Sequence, residues 1–272
     1  MNRIGARAHD YGRAAPDALL GRIAADGWQT VQLAMTKCLA GVDSWDAVTP
    51  AVVADARRAL AAHGLTVAVL GAYVELGLAD ADARGAAVAH FRAQLPWAKA
   101  LGAGCVGSET TNRAKQPGVT GREAFACLER SLAAILPDAE ALGVTVAVEP
   151  VYYHTLATPE LTRQLLADLQ SPALAVILDP GNLFSPEEAP RQQALWQRAF
   201  DCFGSRIAAV HCKGVRIEGG RPVSCPLEAS QVDLAAVLRL LRQTGREPPL
   251  LREEAVPARA AADRAFLQGL LA

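Results

Sequence analysis

VTVAVEP (residues 144–150) is the first of four similarly built runs in the second half of the chain; ALAVILDPGN (173–182), RIAAVHCKG (206–214) and PLLREEAVP (249–257) follow it. Each is short, rich in β-branched residues and bounded by Gly or Pro, the pattern of a parallel strand buried on both faces. Each also closes on a polar side chain of ligand type: Glu149, Asp179, His211 and Glu253. Two glutamates, an aspartate and an imidazole offer the oxygen and nitrogen donors that a hard or borderline divalent cation takes.

Outward from these runs, the alternation of strand and helix extends over the whole chain. Earlier strands are predicted at 3–8, 28–33, 65–73 and 102–109. Helix signals fill the gaps. Pro16 opens the first helix and Gly27 closes it; Thr49-Pro50 provides a cap and a first-turn proline for a helix reaching 63–64. A long helix over 80–101 contains Pro96, which should kink or split it. Thr120 and Glu123 form a capping-box pair for a helix ending at 142–143, Thr158-Pro159 starts another, and Ser185-Pro186-Glu187-Glu188 is read as the opening of the next. Helices at 231–244 and 258–271 complete the series.

Two connections are long. TTNRAKQPGV (110–119) exceeds the usual strand-to-helix link and is a candidate active-site segment, and 214–230 is read as a second loop turning at Gly219-Gly220. Eight strand–helix pairs with no break in composition predict an α/β fold, a single closed (β/α)8 barrel domain over residues 1–272. An open doubly wound sheet is the alternative, but its glycine-rich dinucleotide turn is missing after the first strand.

Composition narrows the function classes. The chain has 272 residues, 51% of them hydrophobic, enough for a large core. A net charge of −1 with 20% charged residues leaves no electrostatic footprint for nucleic acid or an anionic membrane. Cys38, Cys105, Cys127, Cys202, Cys212 and Cys225 show neither CxxC nor finger spacing and read as reduced thiols, which implies a cytoplasmic setting. No run approaches the roughly 18 apolar residues of a membrane helix, and MNRIGARAHDYG lacks the apolar core of a signal peptide.

In a barrel, alternate strand residues point inward. With Glu149 inward, so are Ala147 and Thr145; with Asp179, Ile177 and Ala175; with His211, Ala209 and Ile207. The four polar groups then top apolar columns and converge at the strands' C-terminal ends, where barrel active sites lie. On the last strand, placing Leu251 in the core selects Glu253 over Glu254, since Glu254 would turn Arg252 inward.

The phrases VEPVYYHTL, LDPGNL, VHCKG and LREE, with IGARAHDYG and VQLAMTK, resemble the sugar phosphate isomerase/epimerase family of xylose isomerase-like TIM barrels. The resemblance implies a divalent metal on Glu149, Asp179, His211 and Glu253, manganese first, with magnesium, cobalt or zinc as alternatives. It also implies that Glu149 and Glu253 act as the acid/base pair of a metal-stabilised enediolate reaction on a sugar or sugar phosphate. Epimerisation and aldose–ketose isomerisation both fit. The chain departs from the family pattern at Asn182, where a histidine is frequent, and at Gly214, where an acid is frequent. An arginine expected in the following loop matches either Arg216 or Arg221.

Further substrate contacts are assigned to His9, Gln32, Glu109, His154, Asn182 and Lys213. His9 shares the inward parity of Arg7 and either touches substrate or caps the barrel. Gln32 is polar inside an apolar strand and bonds either substrate or a barrel neighbour. Glu109 ends its strand as a hydroxyl acceptor or as an ion-pair partner of Lys37 or Arg113. His154 follows Glu149 in its loop. Lys213 holds a developing oxyanion or a phosphate, or else pairs with a nearby acid. His63 and His90, on helices, are read as structural. A keto-inositol dehydratase-like lyase and a non-catalytic sugar-binding barrel are the competing functions. A three-zinc DNA-repair endonuclease of the same barrel type needs more ligands than five histidines supply. The partner is a small sugar, and the resemblance is compatible with a homo-oligomer.

Overall fold

The computed structural model describes residues 3–272. Strands β1 (Ile4–Arg7), β2 (Thr30–Leu33), β3 (Thr66–Gly71), β4 (Cys105–Glu109), β5 (Val146–Glu149), β6 (Leu174–Leu178) and β7 (Ile207–Cys212) lie side by side in chain order. After β7 come an antiparallel hairpin, β8 (Gly214–Glu218) and β9 (Arg221–Cys225), and then β10 (Leu250–Arg252). β10 pairs with both β7 and β1, so eight parallel strands close into a (β/α)8 barrel, as the alternation predicts.

The helices are α1 (Pro16–Ala25), one-turn α2 (Met35–Cys38), α3 (Pro50–Ala62), α4 (Ala81–Leu101), α5 (Gly121–Leu142) and α6 (Pro159–Leu169). One-turn α7 (Pro180–Leu183), α8 (Gln192–Phe203), α9 (Leu234–Gln243) and α10 (Ala260–Leu271) complete them. Their starts follow the sequence signals: Thr49, Thr120 and Thr158 each accept a backbone N–H three residues on. A cap of this kind contributes about 1 kcal/mol. α4 and α5 end on Gly102 and Gly143, both left-handed.

Two apolar layers result. Ala68, Val69, Cys105, Ala147, Ala175, Ile177, Ala209 and Leu251 fill the barrel interior, and a much larger cluster packs the strands' outer faces against the helices. The interior is tight: a Cβ on Gly107 would lie 2.5 Å from Ile177 Cδ1 and 2.7 Å from Val69 Cγ1. Among the described residues, no helix is long and apolar enough to cross a membrane.

Four expectations are corrected. Of the kink or split expected at Pro96, the split does not occur: α4 runs through it, and α5 likewise runs through Pro137. Both prolines face solvent, where water can take the hydrogen bond that each ring removes. Residues 186–188 form a turn rather than helix, although Ser185 Oγ does accept from Glu188 N–H; Pro190 disfavours helical backbone at the residue before it, and α8 starts only at Gln192. The segment 214–230 is no plain loop. GVRIE and RPVSC pair across Gly219 and Gly220, whose φ of 55° and 75° fit a two-residue hairpin turn. Ile207 belongs to the outer layer: the β6–β7 register passes from Val176↔Ile207 to Ile177↔Ala209, leaving Ala208 as a bulge against the interior cluster.

Candidate metal centre

Glu149 closes β5, Asp179 follows β6, His211 lies in β7 and Glu253 follows β10. All four are buried at the same rim of the barrel. Asp179 also caps α7, its Oδ1 accepting from Asn182 N–H at 3.1 Å. Glu149 Oε2 lies 3.2 Å from His211 Nδ1. One ligand atom from each of Glu149, Asp179 and His211 falls within 4.8 Å of the other two. Glu253 stands beside this triad, with Oε1 3.8 Å from His211 Nδ1. It is also gripped by two cations, Arg7 Nη1 at 2.8 Å and Lys213 Nζ at 3.4 Å.

The donors fit a cation. Both ring nitrogens of His211 and Asp179 Oδ2 are buried without a hydrogen bond of good geometry, although Lys213 Nζ stands 3.2 Å from that Asp179 oxygen. Buried polar atoms left in this way are costly, and a bound ion would satisfy them. Burial pushes the Asp179 carboxyl up to about 7. Burial alone would push the His211 imidazole down, but the Glu149 and Glu253 carboxylates outweigh it and raise it to about 9. Glu253 goes the other way: despite burial, His211, Lys213 and Arg7 hold it below the usual carboxylate range. A divalent ion would displace the protons of Asp179 and His211.

Asn182 ties the rim together. Its Nδ2 donates to Glu149 Oε1 at 2.5 Å, and its Oδ1 accepts from Lys213 Nζ at 2.5 Å. Of the two readings of Lys213, the ion pair with nearby acids is present, with Asp179 Oδ2 at 3.2 Å and Glu253 Oε2 at 3.4 Å. Glu254 has φ +57° and lines the outer mouth, while Leu251 packs inward and Arg252 pairs with Asp263 of α10. That mouth is a cavity of about 230 Å³, lined by Pro222, Val223 and Ser224 of the hairpin together with Asn182 and Lys213.

The opposite side of the rim centres on a residue that sequence reasoning missed, Tyr73. Gln32 Nε2 donates to its hydroxyl at 2.9 Å, Lys37 Nζ lies 3.1 Å from its ring centroid, and His9 meets it edge-on at 5.7 Å. Tyr73 is left-handed at φ +52°, and its ring folds back over Gly71, where a Cβ would lie 2.7 Å from Cε2. Burial, then Arg7 and Lys37, lower the His9 imidazole to about 4. Of the two readings of Gln32, the bond to a barrel neighbour is present.

Glu109 forms no ion pair with Lys37 or Arg113. Lys37 covers Tyr73, and Arg113 donates to the carbonyls of Tyr152 and Tyr153, because the 110–119 loop bridges to the loop after β5. Glu109 instead lies 3.8 Å from His154 Nδ1, and burial followed by the Glu149 charge pushes it up to about 7. His154 is buried, and its Nδ1 has no hydrogen-bond partner. Arg7 is the second missed residue; its only sequence signal is the inward parity it shares with His9. His63, read as structural, pairs with Asp17 of α1 at 2.9 Å.

The profile of the family described as Xylose isomerase-like TIM barrel matches residues 20–270. No curated protein matches the sequence. Among solved structures, a xylose isomerase-like TIM barrel protein from Mycobacterium smegmatis in complex with magnesium is similar at 16% identity and a TM-score of 0.77, covering 100% of this chain and 97% of that one. A D-psicose 3-epimerase solved in the presence of D-fructose is similar at 15% identity and a TM-score of 0.75, covering 99% of each chain. An IolI protein with a bound zinc atom is similar at 15% identity and a TM-score of 0.75, covering 99% of this chain and 98% of that one. At these identities the likeness is one of fold.

Proposed function

Because the chain belongs to the xylose isomerase-like TIM barrel family, we propose that it is a divalent-metal-dependent isomerase or epimerase of a sugar or sugar phosphate. One observation carries this reading: Glu149 belongs to a buried Glu/Asp/His donor group, and a second buried glutamate from a non-neighbouring strand, Glu253, stands beside that group. Glu149, Asp179 and His211 would hold the ion, with Glu253 beside them as the fourth carboxylate or imidazole donor. Manganese is our first choice, and the magnesium and zinc in two similar structures keep those ions open. The ion, when bound, supplies a Lewis acid that acidifies a carbon-bound proton next to a carbonyl.

The chain's own residues do the rest. β6 and β7 separate β5 from β10, and Glu149 and Glu253 approach His211 Nδ1 from these two strands, an arrangement that supports one carboxylate on each side of a bound sugar. One takes a proton from carbon, and the other returns a proton from its own side. Return to the opposite face of the same carbon inverts it; return to the adjacent carbon exchanges aldose and ketose. Lys213 offers an ammonium to the oxygen that gains charge. Tyr73, Gln32, His9 and Glu109 form the far wall against which sugar hydroxyls would lie. The six free cysteines fit a reducing cytoplasm.

The test is solvent exchange. With Mn²⁺ in D2O, wild-type protein should place deuterium on ketoses or ketose phosphates, EDTA should stop it, and Glu149→Gln should abolish it without unfolding the protein. Asp179→Ala and His211→Ala should lose bound metal by elemental analysis. Absence of exchange across the panel, or unchanged metal content in both variants, would sink the reading.

A further inference from the structure

Barrel closure brings the end of β1 against the end of β10, with Ala6 opposite Arg252. From there Arg7 and Asp10 reach the other strand in two ways. Arg7 Nη1 contacts Glu253 Oε1 at 2.8 Å, while its Nε and Nη2 donate to Asp10 Oδ1 at 2.9 and 2.8 Å. The second oxygen of Asp10 accepts from Ala255 N–H at 2.8 Å. The Glu253 carboxylate is therefore held from its tip, and the backbone two residues on is held as well. Between these two holds, Glu254 takes a left-handed conformation, with φ +57°. Glu253 N–H is fixed in turn by the Cys212 carbonyl at 3.1 Å.

We propose that the Arg7–Asp10 pair is a positioning device for Glu253, aiming its carboxylate into the Glu149–Asp179–His211 group. The inference rests on the functional reading above but concerns residues which that reading does not use. The geometry suits the task. Side-chain exposure is only 18% for Arg7, 10% for Asp10 and 5% for Glu253, so the contacts are poorly screened. A guanidinium is a planar fork, and with Nε and Nη2 occupied by Asp10 its orientation toward Glu253 is set. A lysine ammonium could supply the charge but not the fork. Partners behind a metal ligand commonly account for 10- to 100-fold in metal affinity, roughly the size expected here.

The experiment compares wild type with Arg7→Met, Arg7→Lys, Asp10→Asn, Glu253→Gln and the double variant Arg7→Met/Glu253→Gln in the full chain. Mn²⁺ alone is the calorimetric probe, and urea unfolding is run in parallel without metal. Arg7→Met should weaken Mn²⁺ binding about tenfold, Asp10→Asn should weaken it less, and Arg7→Lys should recover part of the loss. The double variant should bind no more weakly than Glu253→Gln, since Arg7 acts only through that carboxylate. In urea, the two single changes should be non-additive by about tenfold in the folding constant. Mn²⁺ binding at or above wild-type strength in Arg7→Met, or additive effects in both measurements, overturns the proposal. If wild type binds no Mn²⁺, the metal reading fails, and the metal-free unfolding cycle alone decides the pairing.

Discussion

Asn182 and Glu149 share a buried hydrogen bond of 2.5 Å, and the same amide passes on to Lys213. One neutral side chain thus couples an acid/base candidate on β5 to the ammonium after β7. It occupies the position where a histidine is frequent in the family that the sequence resembles. An amide can donate to the carboxylate and accept from the ammonium at once, without adding charge to a crowded rim.

The first consequence concerns this amide. Asn182→Leu keeps the bulk but leaves Glu149 Oε1 without its donor inside the protein. An unsatisfied buried acceptor of this kind costs about 1–3 kcal/mol. Urea unfolding should show that loss against a wild-type background and much less of it against Glu149→Gln, whose own amide can reorganise. Equal losses in both backgrounds would mean that the bond to Glu149 contributes nothing specific.

How far the sequence led depended on how local each cause was. Glu149, Asp179, His211 and Glu253 were legible because each ends its own apolar strand, and inward parity follows from a period of two. Tyr73 and Arg7 were not. Tyr73 reaches the site through a left-handed backbone and through space left by Gly71, while Arg7 matters only once β1 has closed on β10. The hairpin lies between these cases: Gly219-Gly220 is a turn signal, but one that fits a loop in a strand–helix series as well as it fits the β8–β9 hairpin. The bulge at Ala208 had no signal in the run RIAAVHCKG, and it moved Ile207 out of the interior without disturbing His211.

The second expectation is about pH. Burial and the charges of Arg7 and Lys37 lower the His9 imidazole from its ordinary 6.5 to about 4. The folded state therefore favours the neutral ring. Its contribution to stability is present above pH 6.5 and is lost as the pH falls through about 4. Wild type should accordingly lose more stability between pH 7 and pH 4.5 than His9→Gln does, because the variant has no imidazole to charge. Paired urea titrations at the two pH values measure this difference directly. Parallel losses in the two proteins would show that His9 is not held neutral.

The third expectation concerns the pair behind Glu253. Arg252 Nε meets Asp263 Oδ2 of α10 at 2.8 Å, with side-chain exposures of 4% and 1%. Its Nη1 also donates to the carbonyls of Cys212, at 3.4 Å, and Glu253. An ion pair this deep recovers its desolvation cost only while both partners remain, so breaking one side is worse than replacing both. Arg252→Met should destabilise the protein by about 3–5 kcal/mol, because it leaves the buried Asp263 carboxyl without its partner. Adding Asp263→Leu should restore much of that loss, since two apolar groups then face each other between β10 and α10. Chemical denaturation of the single and double variants decides the matter. If the double variant is no more stable than Arg252→Met, the carbonyl contacts to the ends of β7 and β10 contribute more than the pair itself, and Arg252 secures the strand ends rather than the helix.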